Sequence, residues 1–279
     1  MARQRVSILG VGVDAVTRAE AVAEIAGMVE QERGAMVVTA NPEIVWRARH
    51  DPIYRTVIDH ADLVVADGVG VMMAARMAGR PLPERVPGYD LMLDLLQEAG
   101  KRGWRVYLLG GKPGVAEEAA RQAVLRWPGL QVAGTHHGYF WNDVDEWRAL
   151  ERALEKTDPN LVFVGMGAPR QEMWMARRLG RGVMEKVVAP RHNPAGPGYR
   201  AVMLGVGGSL DVLAGTAALA PAWMRQHGLE WAFRLRDPRR WRRGLVLPAF
   251  LLTAAVWAAG IRFRGDDGAG RHEKTGEGT

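Results

Sequence analysis

The sequence predicts an α/β fold: a Rossmann-like, mostly parallel sheet covered by helices on both faces, followed by a helical C-terminal appendage. Three observations carry that prediction. Short apolar runs at 35–39, 62–66, 103–111, 130–134, 161–165 and 201–208 alternate with stretches of helical period. Each run is apolar almost throughout, as parallel strands buried on both faces are. Many of them end in glycines or a small polar island, and strand carboxyl ends are where open α/β sheets hold their binding crevice.

Composition sets the outer limits. The chain has 279 residues, 48% hydrophobic and 24% charged, enough for one large α/β domain or two modest ones. There is no cysteine, which excludes a disulfide, a thiolate nucleophile and cysteine-ligated zinc. The seven histidines include no pair at helical metal-ligand spacing. His136 and His137 are adjacent, a spacing that would point them apart in a strand, so no metal and no cofactor is expected. Arg3-Gln4-Arg5 leads into a strand-like run without a signal-type apolar region, and no internal repeat is visible.

Taken in order, Val6–Val13 reads as a strand entering a glycine turn, and apolar positions from Val16 to Val29 mark a helix over 15–32. Gly34 ends it. After strand 35–39, Asn41-Pro42 opens a helix with proline in its first turn, and Asp51-Pro52 opens another. Strand 62–66 precedes a helix over 69–78. Tyr89 or Asp90 is expected to cap helix 91–100. Strand 103–111, helix 115–127 and strand 130–134 form a parallel crossover unit. Asn142 is expected to cap helix 144–156, and Pro169 to begin helix 170–180. Residues 184–199, with Pro190, Pro194 and Pro197, read as an inserted loop. The domain reading is a core over 1–215, an appendage over 216–264 and a disordered, glycine-rich tail over 265–279.

Several motifs could carry chemistry. Thr39-Ala40-Asn41-Pro42-Glu43 and Ala66-Asp67-Gly68-Val69-Gly70 sit at the ends of two strands and are expected to converge. Asp67 beside two glycines reads equally as a catalytic carboxylate or as a helix cap, and Thr39 and Asn41 share that ambiguity. Gly165-Met166-Gly167-Ala168-Pro169-Arg170-Gln171-Glu172 opens a helix whose N–H groups favour an anion. Glu172 suits that helix dipole structurally, whereas Gln171 could read a base or sugar. Gly10-Val11-Gly12 is at most half of a dinucleotide fingerprint, lacking its third glycine.

The appendage is basic and then apolar. Seven arginines against Glu230 and Asp237 lie between Arg225 and Arg243, and Leu245–Ile261 has no charge over seventeen residues. As a helix this apolar run spans about 26 Å at 1.5 Å per residue, short of a hydrocarbon core of roughly 30 Å. Docking on a membrane is therefore preferred to spanning it and to burial as a core helix. Five net positive charges near an anionic leaflet contribute about 5 kcal/mol, enough for reversible attachment. Nucleic acid is the disfavoured partner.

In this order, the motifs resemble the WecG/TagA/CpsF family of bacterial glycosyltransferases. The resemblance runs from about Val6 to Arg243. It includes the two islands, Arg85-Val86-Pro87-Gly88-Tyr89-Asp90, Leu109-Gly110-Gly111, Gly138-Tyr139-Phe140, the Gly165–Glu172 loop and Gly205-Val206-Gly207-Gly208. Ala220-Pro221-Ala222-Trp223-Met224, Gly228-Leu229-Glu230-Trp231 with Arg234, and Asp237-Pro238-Arg239-Arg240 complete it. Two departures are the inserted loop and a one-residue shift near Arg234, which blurs the roles of the later arginines.

The resemblance implies inverting, metal-independent transfer of N-acetylmannosamine or its uronic acid from a UDP-sugar. The acceptor would be polyprenyl-diphosphate-linked N-acetylglucosamine at the cytoplasmic membrane face, for a cell-surface polysaccharide or teichoic acid. Asp67 would be the base, with Thr39 beside it. Asn41, Arg85, Asp90, Gly110, Gly111, Tyr139, Gly165, Gly167, Pro169, Gln171, Glu172, Gly207 and Gly208 would bind substrate. Arg234, Arg239 and Arg240 would meet the diphosphate or the membrane. A homo-oligomer is left open. The competing readings are a nucleotide-dependent oxidoreductase and a non-catalytic membrane-docking protein.

Overall fold

The computed structural model describes residues 3–180, 199–227, 229–234 and 246–260. Six parallel strands form the sheet: β3 (Ala35–Ala40), β4 (Leu63–Ala66), β5 (Arg105–Gly110), β6 (Gln131–His136), β7 (Leu161–Gly165) and β8 (Val202–Gly205). Their order is β4-β3-β8-β7-β5-β6. Side chains alternate along β3 as the pleat requires: Met36, Val38 and Ala40 join one core and Ala35 and Val37 the other. The first core is covered by α2 (Pro42–His50), α3 (Pro52–Asp59), α4 (Val69–Met77), α7 (Val144–Thr157) and α8 (Arg170–Arg178). The second is covered by α1 (Arg18–Glu30), α5 (Gly88–Arg102), α6 (Val115–Arg126) and α9 (Ser209–Leu213). The expected layered α/β architecture is present, and every strand but β6 is buried almost throughout.

The N-terminal segment departs from the expectation of one strand. It folds as a separate antiparallel hairpin, β1 (Arg5–Ile8) and β2 (Val11–Asp14), turning at Leu9-Gly10. Gly10 and Gly12 therefore lie on no strand-to-helix turn, and the Gly10 carbonyl accepts from the Arg55 guanidinium. The hairpin protects the sheet's edge. Asp14 accepts from the Val64 N–H at 2.7 Å, and Arg5 donates to the Ala61 carbonyl at 3.1 Å. Both groups belong to or flank the outermost strand β4, whose unpaired backbone would otherwise invite another chain.

Helix starts follow the local chemistry with two shifts. Thr17 and Glu20 form a reciprocal capping box on α1, and Asn41 and Asp51 cap α2 and α3 ahead of their prolines. Helix α5 begins at Gly88, so Tyr89 and Asp90 lie inside its first turn and neither caps it. Asp143, one residue beyond the expected Asn142, caps α7 through the N–H groups of Asp145 and Glu146.

The appendage contributes α10 (Ala222–Gln226), α11 (Glu230–Arg234) and α12 (Val246–Ala258). Helix α12 packs on α4 and α2, burying Leu247, Phe250 and Ala254, while Leu252 stays 70% exposed. The approach requires Gly70, where a Cβ would lie 2.6 Å from Leu247 Cδ1 and 2.7 Å from Pro42 Cγ. The apolar segment thus docks one stripe on the core and leaves the other open. Among the described residues no helix is long and apolar enough to cross a membrane. The inserted loop up to residue 198, Arg239, Arg240 and the tail lie outside the described residues.

Candidate active site

The site is assembled where β3 and β8 lie side by side. The helix after β3 covers one face of the sheet and the helix after β8 the other, so the chain parts at their carboxyl ends and leaves a crevice. A cleft of ≈ 440 Å³ opens there. Its lining includes Thr39, Asn41, Asp67, Asp90, Gly111, Tyr139, Gly165, Gly167, Gln171, Gly207 and Gly208, eleven positions expected from sequence.

The two polar islands do converge. Strands β3 and β4 pair with Ala40 opposite Ala66, and the Asp67 N–H continues the ladder to the Ala40 carbonyl at 2.8 Å. A Cβ on Gly68 would lie 3.4 Å from Pro42 and 3.9 Å from Asn41 Cβ, so one island rests against the other. Helix α4 takes Gly68 as its N-cap and receives no side-chain cap, which leaves Asp67 a half-buried cleft residue outside the capping role. Asn41 caps, accepting from the Ile44 N–H at 3.0 Å, and also lines the cleft. Thr39 is 5% exposed and donates its hydroxyl proton to the Gly205 carbonyl at 2.8 Å, joining β3 to β8 under Gly88. Its oxygen keeps only acceptor capacity.

The Gly165–Glu172 loop is arranged otherwise. Gln171 is 2% exposed; its Oε1 accepts from the N–H groups of Gly167 at 3.1 Å and Gly207 at 3.0 Å. Its Nε2 donates to Glu172 Oε1 at 2.7 Å, and Tyr54 donates to Glu172 Oε2 at 3.0 Å. One amide thereby ties the β7 and β8 loops together and is held in register by a buried carboxyl. Burial pushes the Glu172 carboxyl above its ordinary range, against the lowering effect of its hydrogen bonds, and burial beside Glu172 pushes the Tyr54 phenol up as well.

Four expected binding residues do not line the cleft. Glu172 is wholly buried beneath it. Pro169 gives way to its neighbours Ala168 and Arg170. Gly110 lies against β7, where a Cβ would come within 2.4 Å of the Gly165 carbonyl oxygen; its service is close strand packing. Arg85 pairs with Glu230 at 3.0 Å and donates to the Arg225 carbonyl at 2.8 Å, strapping the appendage to the rim.

Other cleft residues went unread. Lys112 and Arg170 line it, are exposed, and make no ion pair among the described residues. Lys112 follows directly on the Gly110-Gly111 strand end, a cation after a glycine pair that was a legible signal. Arg225 reaches Asp90 at 3.4 Å, so an appendage arginine already stands at the cleft. Arg239 and Arg240 lie outside the described residues. Of Arg234 only the α11 backbone position is described.

A parallel sheet with a polar, glycine-lined crevice at its strand ends defines an α/β enzyme of the nucleotide- or sugar-binding type. The chain belongs to the glycosyl transferase WecG/TagA/CpsF family, whose model matches residues 6–264, and it is a glycosyltransferase. It is 34% identical over 223 residues to an N-acetylglucosaminyldiphosphoundecaprenol N-acetyl-β-D-mannosaminyltransferase of Bacillus spizizenii, spanning 80% of this chain and 79% of the relative. Proteins of the same name from Bacillus subtilis and Staphylococcus aureus are 33% and 35% identical, covering 81% and 90% of this chain and 80% and 92% of the relatives.

Proposed function

We propose that this glycosyltransferase moves N-acetylmannosamine, or its uronic acid, from a UDP-sugar to polyprenyl-diphosphate-linked N-acetylglucosamine with inversion. The observation that carries the reading is Asp67, half-buried and outside the capping role, beside Thr39 and Asn41 in a cleft holding two cations without ion-pair partners among the described residues. The acceptor hydroxyl oxygen attacks the anomeric carbon while its proton passes to the Asp67 carboxylate. The bond from that carbon to the diphosphate oxygen breaks, and UDP departs with the electron pair. The β linkage in the relatives' name agrees with inversion of an α-linked donor.

The leaving diphosphate gains charge, and preorganised cations and N–H groups stabilise it best in a site that excludes water. Lys112 and Arg170 supply cations, and the N–H groups that open α6 and α8 supply dipoles. Thr39 and Asn41 orient the sugar or acceptor. The apolar stripe of α12 and the basic appendage bring the chain to the inner face of the cell membrane, where a lipid-linked acceptor lies. Removing residues 245–279 lowers sedimentation with anionic vesicles under this reading; unchanged sedimentation removes the docking role.

The decisive experiment incubates the enzyme with a panel of UDP-sugars and a lipid-linked N-acetylglucosamine acceptor and reads product mass and linkage. A β-linked disaccharide lipid from the N-acetylmannosamine or uronic donor supports the proposal. UDP release without that product, or transfer from unrelated donors only, overturns it.

A further inference from the structure

At the opposite edge of the sheet from Asp67 three side chains meet that the proposed transfer does not use. His136 ends β6, His137 follows it, and Glu146 lies in the first turn of α7. Strand alternation would have aimed the two imidazoles apart, but the strand stops at His136 and both rings turn to one carboxylate. His136 Nε2 lies 3.2 Å and His137 Nε2 3.5 Å from Glu146 Oε2. The three ligand atoms fall within 4.8 Å of one another.

Two of these separations match the edges of a coordination shell, and a small rotation of the His137 ring would close the third. Four ligands placed tetrahedrally at zinc bond lengths of about 2.0–2.1 Å stand about 3.3–3.4 Å apart. Both histidine–glutamate edges are already near that value. Two imidazole nitrogens and one carboxylate oxygen form a zinc donor set with a fourth position for water, whereas calcium and magnesium prefer oxygen throughout.

Hydrogen bonding fixes the tautomer. His136 Nδ1 lies 2.8 Å from the His137 carbonyl oxygen, which can only accept, so Nδ1 carries a proton. With Nδ1 anchored on that carbonyl, as the outer nitrogen of ligating histidines usually is, Nε2 is directed into the cluster. The side chains of His136 and His137 are 12% and 22% exposed and that of Glu146 44%, which leaves an entry path from solvent.

We propose that His136, His137 and Glu146 bind a divalent transition metal of the zinc type. The ion is not placed to assist Asp67. Five strand spacings of roughly 4.8 Å, about 24 Å in all, separate β6 from β4. It acts on the other rim of the cleft. His137 Nδ1 accepts from the Tyr139 N–H at 3.2 Å. Ligation through Nε2 puts the imidazole proton on Nδ1 and breaks that bond, releasing a turn whose Gly138 and Tyr139 line the cleft.

The test uses the whole chain, stripped with a chelator and titrated with Co²⁺ by visible absorption and with Zn²⁺ by equilibrium dialysis. One ion per chain is expected, with the intense d–d bands of four-coordinate cobalt. Affinity should fall roughly tenfold or more in His136→Gln and in Glu146→Gln. The second change sits on an exposed position and spares the fold, which circular dichroism checks for both. Absence of retained metal, or binding indifferent to Glu146→Gln, overturns the site and leaves a protonated His136 paired with Glu146 as the account of the cluster.

Discussion

The islands at 39–43 and 66–70 and the loop at 165–172 look alike in sequence, each a polar cluster with glycine or proline at the end of a buried strand. The structure treats them oppositely. Asp67 stands half-buried in the cleft, and the helix behind it starts at Gly68 without its help. Gln171 and Glu172 are 2% and 0% exposed, with the amide spent on Gly167, Gly207 and Glu172. One carboxylate stays in contact with the cleft; the other amide and carboxyl are spent holding the loops in register. A polar side chain below the cleft floor must satisfy its neighbours, because an unpaired buried group costs about 1–3 kcal/mol. A side chain that lines the cleft is not held to that requirement by burial alone.

The contrast is sharpest at Asp67. Asp67→Asn keeps the shape and removes the proposed base, so turnover should fall by about 10²–10⁴-fold with an unchanged thermal midpoint. Turnover within about threefold of wild type would end its assignment as base.

Gln171→Ala should do the reverse, costing about 1–3 kcal/mol of stability in denaturant melts as the Gly167 and Gly207 N–H groups lose their acceptor. Activity should fall along with stability. If stability holds while activity vanishes, Gln171 is a reagent and the comparison breaks.

Lys112→Ala and Arg170→Ala test the two exposed cleft cations. Each should raise the donor KM up to about tenfold, with less effect on kcat and a weaker salt dependence, since exposed charges act through partly screened contacts. A KM indifferent to both changes would move the diphosphate elsewhere.

The smallest effect concerns pH. Burial raises the Glu172 carboxyl, so between its unfolded value near 4.3 and its folded value the native state binds more protons than the unfolded chain. Its contribution is fully present below the unfolded value and is lost as pH rises through the folded one. Glu172→Gln can still accept from Gln171 and donate to Tyr54, so it should flatten the fall of the thermal midpoint above pH 4.3. An identical slope in the variant would show that Glu172 does not carry it.

Much of this was legible. Strand runs, proline-opened helices and the convergence of the two islands follow from apolar continuity and from parallel neighbours ending together. The hairpin was not, because Val6–Val13 is apolar enough for one strand and only the Leu9-Gly10 turn divides it. Nor was the fate of Arg85: its guanidinium suits a phosphate, but Glu230 lies nearby in space and 145 residues away in sequence. The convergence of His136 and His137 on Glu146 was not legible for a related reason. Alternation predicts divergence only while the strand continues, and β6 stops at His136.

Sequence alone determined the layered sheet, the order of its motifs and hence the family, since hydrophobic periodicity and local turn chemistry are properties of neighbours along the chain. Only the tertiary structure decided which polar groups are spent and which remain. Burial and hydrogen-bond partnership are set by residues distant in sequence: Gly205 for Thr39, Tyr54 for Glu172, and Glu230 for Arg85.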